Sequence, residues 1–343
     1  MTMICYYSCF VIIYLFLLIC QNEASLGDRS PYFGNCVRKC LEEKCVDLQS
    51  FKDPSDTNVL NDFVHWHCND DCRYNCMWKT VESFKERKWS TPQFDGKWPF
   101  KRVLCFQEFA SVLFSFTNFY AVYYLYRKLR KRLNRTYPMY FVWNVFALVS
   151  INGWIWSMIF HTRDVRFTEF MDYASAFAII LSYFYCLGMR VLVGLHQIFS
   201  IAFSCFCAIL LFNHVKLLSG TRIDYAYHMQ ITVTIATASI LGWLIWCWFN
   251  KNKLPYVKNC IIFMFLSAIV GPVLELADFP PIFWIFDAHS LWHLSTTFVH
   301  VYFYRFMIED SIYLSKTLPD KNSMTLPERY IKRRDSSENR KLI

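Results

Sequence analysis

The sequence is short of charge: 18% of its 343 residues are Asp, Glu, Lys or Arg, against roughly 25% in a soluble domain. Glycine is scarce, with 9 residues, and no heptad persists, which excludes collagen-like and coiled-coil architectures. No Gly-rich phosphate loop, G-x-S-x-G elbow or H-E-x-x-H pair occurs, so nothing supports a nucleotide-dependent enzyme or a serine lipase. What fills the chain instead is apolar. Hydrophobic residues make up 55% and aromatics 19%, too much for disorder. At about 150 residues per domain the length suggests two globular domains. The long apolar runs, however, lie between residues 103 and 308, the mark of a multi-span membrane protein.

The net charge is +9, but the Lys and Arg sit in short loops and in the tail. That placement fits membrane topology and argues against a nucleic-acid partner. The phenylalanines and tryptophans read as lipid-facing and interfacial residues.

Fifteen cysteines are distributed unevenly. Six form two runs, Cys36-x3-Cys40-x4-Cys45 and Cys68-x3-Cys72-x3-Cys76, within a polar stretch. Spacings of three and four put side chains on one helix face. Two such helices packed antiparallel are preferentially bridged Cys36–Cys76, Cys40–Cys72 and Cys45–Cys68, although six cysteines allow 15 pairings. Zinc is the alternative, but structural zinc favours C-x2-C. Disulfides imply an oxidising compartment. The apolar stretch at 10–19 is too short to span comfortably and reads as a signal peptide without a basic n-region, cleaved near 24–27; an uncleaved anchor is the other reading. The expected organisation is a signal peptide (1–24), a cysteine-rich luminal domain (25–101), a transmembrane domain (102–309) and a basic cytoplasmic tail (310–343).

Seven spans are expected, at 103–125, 138–160, 171–188, 196–213, 229–249, 259–278 and 289–308. Basic clusters follow the first span (Arg127, Lys128, Arg130, Lys131, Arg132, Arg135), the fifth (Lys251, Lys253, Lys258) and the last (Lys332, Arg333, Arg334, Arg340, Lys341). One topology makes all of them cytoplasmic and the cysteine domain luminal. The sequon Asn134-Arg135-Thr136 then lies in a cytoplasmic loop and is expected to stay unmodified. Arg190 falls at the cytoplasmic end of the third span and is expected to snorkel.

Ionisable groups in a bilayer are functional candidates by default. Ser157 and His161 share a face at the luminal end of the second span; Asp172 begins the third; His289 and His293 share a face at the start of the seventh. All five fall at one membrane depth. Three neutral imidazoles plus a water make a catalytic zinc site. Asp172 then orients or deprotonates the water, and Ser157 donates to the oxyanion. The competing reading is a polar interhelical network without metal. Glu108, Glu275 and His300 lie within reach of the same region but read as structural groups. His65 and His67 read as surface residues, and His196, His214 and His228 receive no role.

The pattern Ser157-x3-His161, Asp172, His289-x3-His293 resembles the membrane hydrolase superfamily of alkaline ceramidases and adiponectin receptors. Gly27-Asp28-Arg29-Ser30-Pro31, the run at Cys36, Cys40 and Cys45, Cys72-Arg73-Tyr74-Asn75-Cys76-Met77-Trp78, the stretch from Gln93 to Phe100 (Q-F-D-G-K-W-P-F) and that from Phe167 to Tyr173 narrow this further. They resemble the post-GPI-attachment-to-proteins factor 3 family from residue 27 to the neighbourhood of 310. Phe109 stands where that family carries Pro after the glutamate. The resemblance implies zinc held by His161, His289 and His293, with Asp172 and Ser157 assisting. It also implies removal of the sn-2 acyl chain from the lipid of GPI-anchored proteins, a phospholipase A2-type step.

The expectation is therefore an all-α membrane protein of seven transmembrane helices, with a small disulfide-rich luminal domain and zinc-dependent hydrolase activity. Another lipid hydrolase, such as a ceramidase, and a non-enzymatic chaperone for GPI-proteins or lipid are the competing functions. Arg340-Lys341-Leu342-Ile343 resembles a dilysine retrieval signal, leaving Golgi and endoplasmic reticulum both open.

Overall fold

The computed structural model describes residues 25–220 and 223–318. The expected signal peptide and the tail beyond 318 lie outside these residues. So does the side chain of Glu275. Among the described residues the fold is helical, with isolated bridges and no strands.

The N-terminal part holds α1 (Pro31–Lys44), a single-turn α2 (Val59–Phe63) and α3 (Cys68–Glu86). Pro31 starts α1, where its fixed φ suits a first helical turn. The backbone N–H of His67 donates to the Asp70 carboxylate at 2.9 Å, and Asp70 and Asp71 put negative charge at the start of α3. Helices α1 and α3 pack together, joined by disulfides Cys36–Cys76, Cys40–Cys72 and Cys45–Cys68. Antiparallel packing reverses the order of one run against the other, so the first cysteine meets the last.

Seven longer helices follow: α4 (Phe109–Arg132), α5 (Tyr140–Thr162), α6 (Arg166–Val191), α7 (Gln197–Leu218), α8 (Tyr225–Asn250), α9 (Val257–Ala277) and α10 (Ala288–Thr317). Four, α5 to α8, are long and apolar enough to cross a membrane, and α9 contains a shorter apolar stretch, Val257–Ile269. Helices α4 and α10 dilute their apolar character with interior polar groups: Ser111, Ser115 and Asn118 on one, Ser290, His293, Asp310 and Ser311 on the other, all buried. Helix α4 starts later than the apolar run suggests. Residues Val103 and Phe106 pair across a tight turn, with Leu104 at φ 55°, before the helix begins at Phe109. It then continues through the basic cluster to Arg132.

Helix α4 packs between α5 and α10, α6 lies against α5, and α8 and α9 close the circuit back to α10, with α7 outside on α6. Trp143, Phe146, Trp243, Phe303 and Phe306 fill the middle. Gly153 lets α5 approach α6: a Cβ there would run into Ile179 Cδ1. That close approach lies one turn before Ser157.

Arg190 does not snorkel. Its guanidinium makes a two-pronged pair with Asp310 (Nε–Oδ2 2.7 Å, Nη2–Oδ1 2.9 Å), and Tyr256 donates to the same carboxylate at 3.0 Å. Asp310 is wholly buried, so the arginine is held inward by a charge that has no access to water.

Candidate metal centre

His161 ends α5 beside the start of α4. The backbone N–H groups of Gln107 and Glu108 donate to the carbonyls of Thr162 and His161, at 3.2 and 3.0 Å. Helix α10 starts on a reciprocal cap: Ser290 N–H donates to Asp287 Oδ1 at 2.9 Å, and Asp287 N–H donates to Ser290 Oγ at 3.0 Å. That cap sets His289 and His293 in the first two turns, four residues apart on one face.

The three imidazoles converge. One ring nitrogen from each of His161, His289 and His293 lies within 4.8 Å of the other two. The Nε2 atoms of His289 and His293 are 3.0 Å apart. Tetrahedral zinc with bonds of about 2.05 Å places its nitrogen ligands about 3.3 Å from one another, so this spacing suits a shared cation. His161 Nδ1 is engaged by Glu108 Oε2 at 2.7 Å, leaving Nε2 for a ligand. His293 Nδ1 lies 3.2 Å from Ser115 Oγ, which is 3.0 Å from Ser157 Oγ. The donor set of neutral nitrogens, each of two rings pinned through its other nitrogen, fits zinc. Asp172 on α6 is half-buried and within electrostatic range of both His161 and His289.

Further groups support the cluster. Asn118 Nδ2 donates to the His293 carbonyl at 2.6 Å, and its Oδ1 is 3.2 Å from His300 Nε2. Trp154 sets its ring edge-on against both His293 and His300. His300 thus packs beside the cluster and contacts the residue that holds His293. Glu108, read from the sequence as a structural group, has His161 as its partner. Its other oxygen is 2.8 Å from Lys97 Nζ, which also lies 2.7 Å from Asp164 Oδ2.

Sequence reasoning missed Ser115, Asn118 and Lys97. Ser115 and Asn118 follow Glu108 along α4 at helical spacing, a signal that was present. Lys97 follows a turn and carries no periodicity. His214 and His228, left without a role, form a buried pair (Nε2–Nδ1 2.9 Å) stacked under Phe177 and Tyr173. His67 caps α3, and the His65 carbonyl accepts from Arg163 at 3.1 Å. Cys45, Cys68 and Cys72 also cluster, but their sulfurs are spent in disulfides and are not thiolate ligands.

The sequence matches the Per1-like family over residues 58–311. It is similar to the GPI-specific phospholipase A2-like PGAP3 of Danio rerio, 41% identical over 309 residues, covering 88% of this chain and 95% of that protein. The Homo sapiens protein of the same name is 41% identical over 301 residues, covering 87% and 93%. The Post-GPI attachment to proteins factor 3 of Drosophila melanogaster is 41% identical over 296 residues, covering 83% and 89%. With the family match spanning well over half of the chain and relatives about 41% identical across most of it, the chain belongs to the Per1-like family.

Proposed function

We propose that this protein remodels the lipid of GPI-anchored proteins by removing the sn-2 acyl chain. The observation that carries the reading is the convergence of His161, His289 and His293 at one end of the bundle. Relatives named GPI-specific phospholipase A2-like supply the substrate class. In this reading all seven long helices cross the membrane, with residues 25–101 luminal, 102–309 the hydrolase domain and 310–343 the cytoplasmic tail. The site then faces the luminal leaflet of the Golgi membrane, with the endoplasmic reticulum as the alternative, at the depth of an ester just below the head groups.

His161, His289 and His293 would hold zinc, which when bound would supply a water of lowered pKa and a Lewis acid for the ester carbonyl. Asp172 takes a proton from the attacking water and returns it to the departing lyso-lipid hydroxyl. The acyl C–O bond breaks, releasing a fatty acid. With His293 Nε2 serving as a ligand, the proton would sit on Nδ1 and would set the direction of a short chain. His293 Nδ1–H would then donate to Ser115, 3.2 Å away, and Ser115 to Ser157, 3.0 Å further. The Ser157 hydrogen is left for the carbonyl oxygen as negative charge develops there. Glu108 holds the corresponding proton of His161.

The test is the metal content of detergent-purified protein and of His161→Ala and His293→Ala variants, followed by release of fatty acid from a GPI lipid. About one zinc per chain, lost in both variants without unfolding, together with sn-2 cleavage, is the expected result. Well-folded wild type that takes up no zinc when resupplied overturns it.

A further inference from the structure

Burying the Glu108 carboxylate at the end of an apolar bundle is costly without a cation. The cation comes from outside the bundle. Lys97 Nζ lies 2.8 Å from Glu108 Oε1 and 2.7 Å from Asp164 Oδ2, over the face of Phe160 at 4.3 Å. The other Glu108 oxygen meets His161 Nδ1 at 2.7 Å. Ammonium, carboxylate and imidazole therefore form one line, with the ligand nitrogen of His161 at its far end.

The disulfide-linked helices aim that lysine. It closes a tight turn in which Phe94 and Lys97 exchange both backbone hydrogen bonds, at 2.8 and 2.9 Å. The central Asp95 and Gly96 have φ of 49° and 77°, the left-handed pair that an Asp-Gly dipeptide adopts readily. Three contacts bolt the turn down. Phe94 packs on Phe33 of α1 at 5.0 Å. Arg73 of α3 pairs with Asp95 at 2.6 Å. Asp28 accepts from the Asp95 N–H at 2.7 Å. Burial works against the Lys97 charge, but Glu108 and Asp164 outweigh it and hold the ammonium well above the usual lysine range.

We infer that Lys97 is a positioning residue for the histidine cluster, supplied by the N-terminal disulfide domain, which keeps Glu108 locked on His161 so that the imidazole presents Nε2 to a cation. The inference rests on the metal reading above and deepens it. The N-terminal domain and the bundle then make a single site, because the group that orients one ligand of the bundle is fixed to α1 and α3. Without the ammonium, nothing holds Glu108 in place against His161, and the imidazole is free to exchange tautomers.

The experiment compares full-length wild type with Lys97→Met, Lys97→Gln and Lys97→Arg. Fold is checked by thermal unfolding and by the three disulfides on a non-reducing gel. The first readout is the tautomer of His161 in metal-free protein, from 15N chemical shifts assigned with His161→Ala. Wild type and Lys97→Arg are expected to hold the proton on Nδ1, and Lys97→Met and Lys97→Gln to show a mixture. The second readout is zinc affinity by chelator competition. It is expected to weaken about 10–100-fold in Lys97→Met and to return to within about 3-fold of wild type in Lys97→Arg. Folded Lys97→Met or Lys97→Gln with the wild-type tautomer and unchanged zinc affinity overturns the inference. Wild type that binds no zinc yet changes tautomer with Lys97 sinks the hydrolase reading and leaves the positioning role standing. If Lys97→Met does not fold, Lys97→Gln decides, since it keeps a hydrogen-bonding side chain while removing the charge.

Discussion

Glu108 and His161 meet twice. The backbone N–H of Glu108 donates to the His161 carbonyl at 3.0 Å, and its carboxylate engages the same residue's Nδ1 at 2.7 Å. One residue thereby fixes both the end of α5 and the orientation of the imidazole that α5 presents. Charge and position are coupled in this pair, and that coupling can be tested.

Glu108→Gln keeps the shape but loses the charge. It is expected to weaken zinc binding about 10–100-fold while leaving the thermal unfolding midpoint within a few degrees. Chelator competition measures the first and circular dichroism the second. Unchanged affinity would mean that the carboxylate serves packing alone.

Asp172→Asn removes the proposed proton acceptor without removing a ligand. The expected outcome is folded protein with its zinc retained and sn-2 hydrolysis slowed by about 10²–10⁴-fold. A chaperone or lipid-binding function predicts instead that Asp172→Asn and His289→Ala change stability only. Metal content and fatty-acid release, measured on the same preparation, separate the two.

Arg190→Ala strands the fully buried Asp310 carboxylate. Breaking one side of a buried pair costs about 3–5 kcal/mol, so the unfolding midpoint should drop sharply. The double change Arg190→Met with Asp310→Leu should recover most of that loss. If Arg190→Ala alone is neutral, the pair is not the tie between α6 and α10 that its geometry implies.

Replacing Cys40 and Cys72 together by Ala opens a bridge across 32 residues of sequence. The expected cost is about 2–4 kcal/mol, seen as earlier proteolysis of the N-terminal part. The other two disulfides should persist on a non-reducing gel. If the Lys97 inference holds, zinc affinity should also fall in this variant, because Lys97 is aimed by α1 and α3.

Much of the architecture is legible in the chain because it depends on local pattern. Apolar runs locate the long helices, since residues there meet either lipid or one another. Cys36, Cys40 and Cys45 against Cys68, Cys72 and Cys76 lie on one face of each helix, so antiparallel packing leaves a simple pairing. Arg190 was misread for a physical reason. An arginine at a span end usually reaches for water, and only the position of Asp310, 120 residues away, makes the inward pair preferable.

By itself the sequence determined that His161, Asp172, His289 and His293 fall at one end of the helices, because helix length and loop charge set depth. It could not determine distance. That the three ring nitrogens gather within 4.8 Å follows from α4 packing between α5 and α10, a matter of interhelical contact. Nor could it join Lys97 to His161. That connection passes through a turn, the Glu108 carboxylate and the seating of a disulfide-linked domain on the bundle, and no periodicity encodes it. Pattern fixes which face a side chain occupies; only the packed chain decides which face it meets.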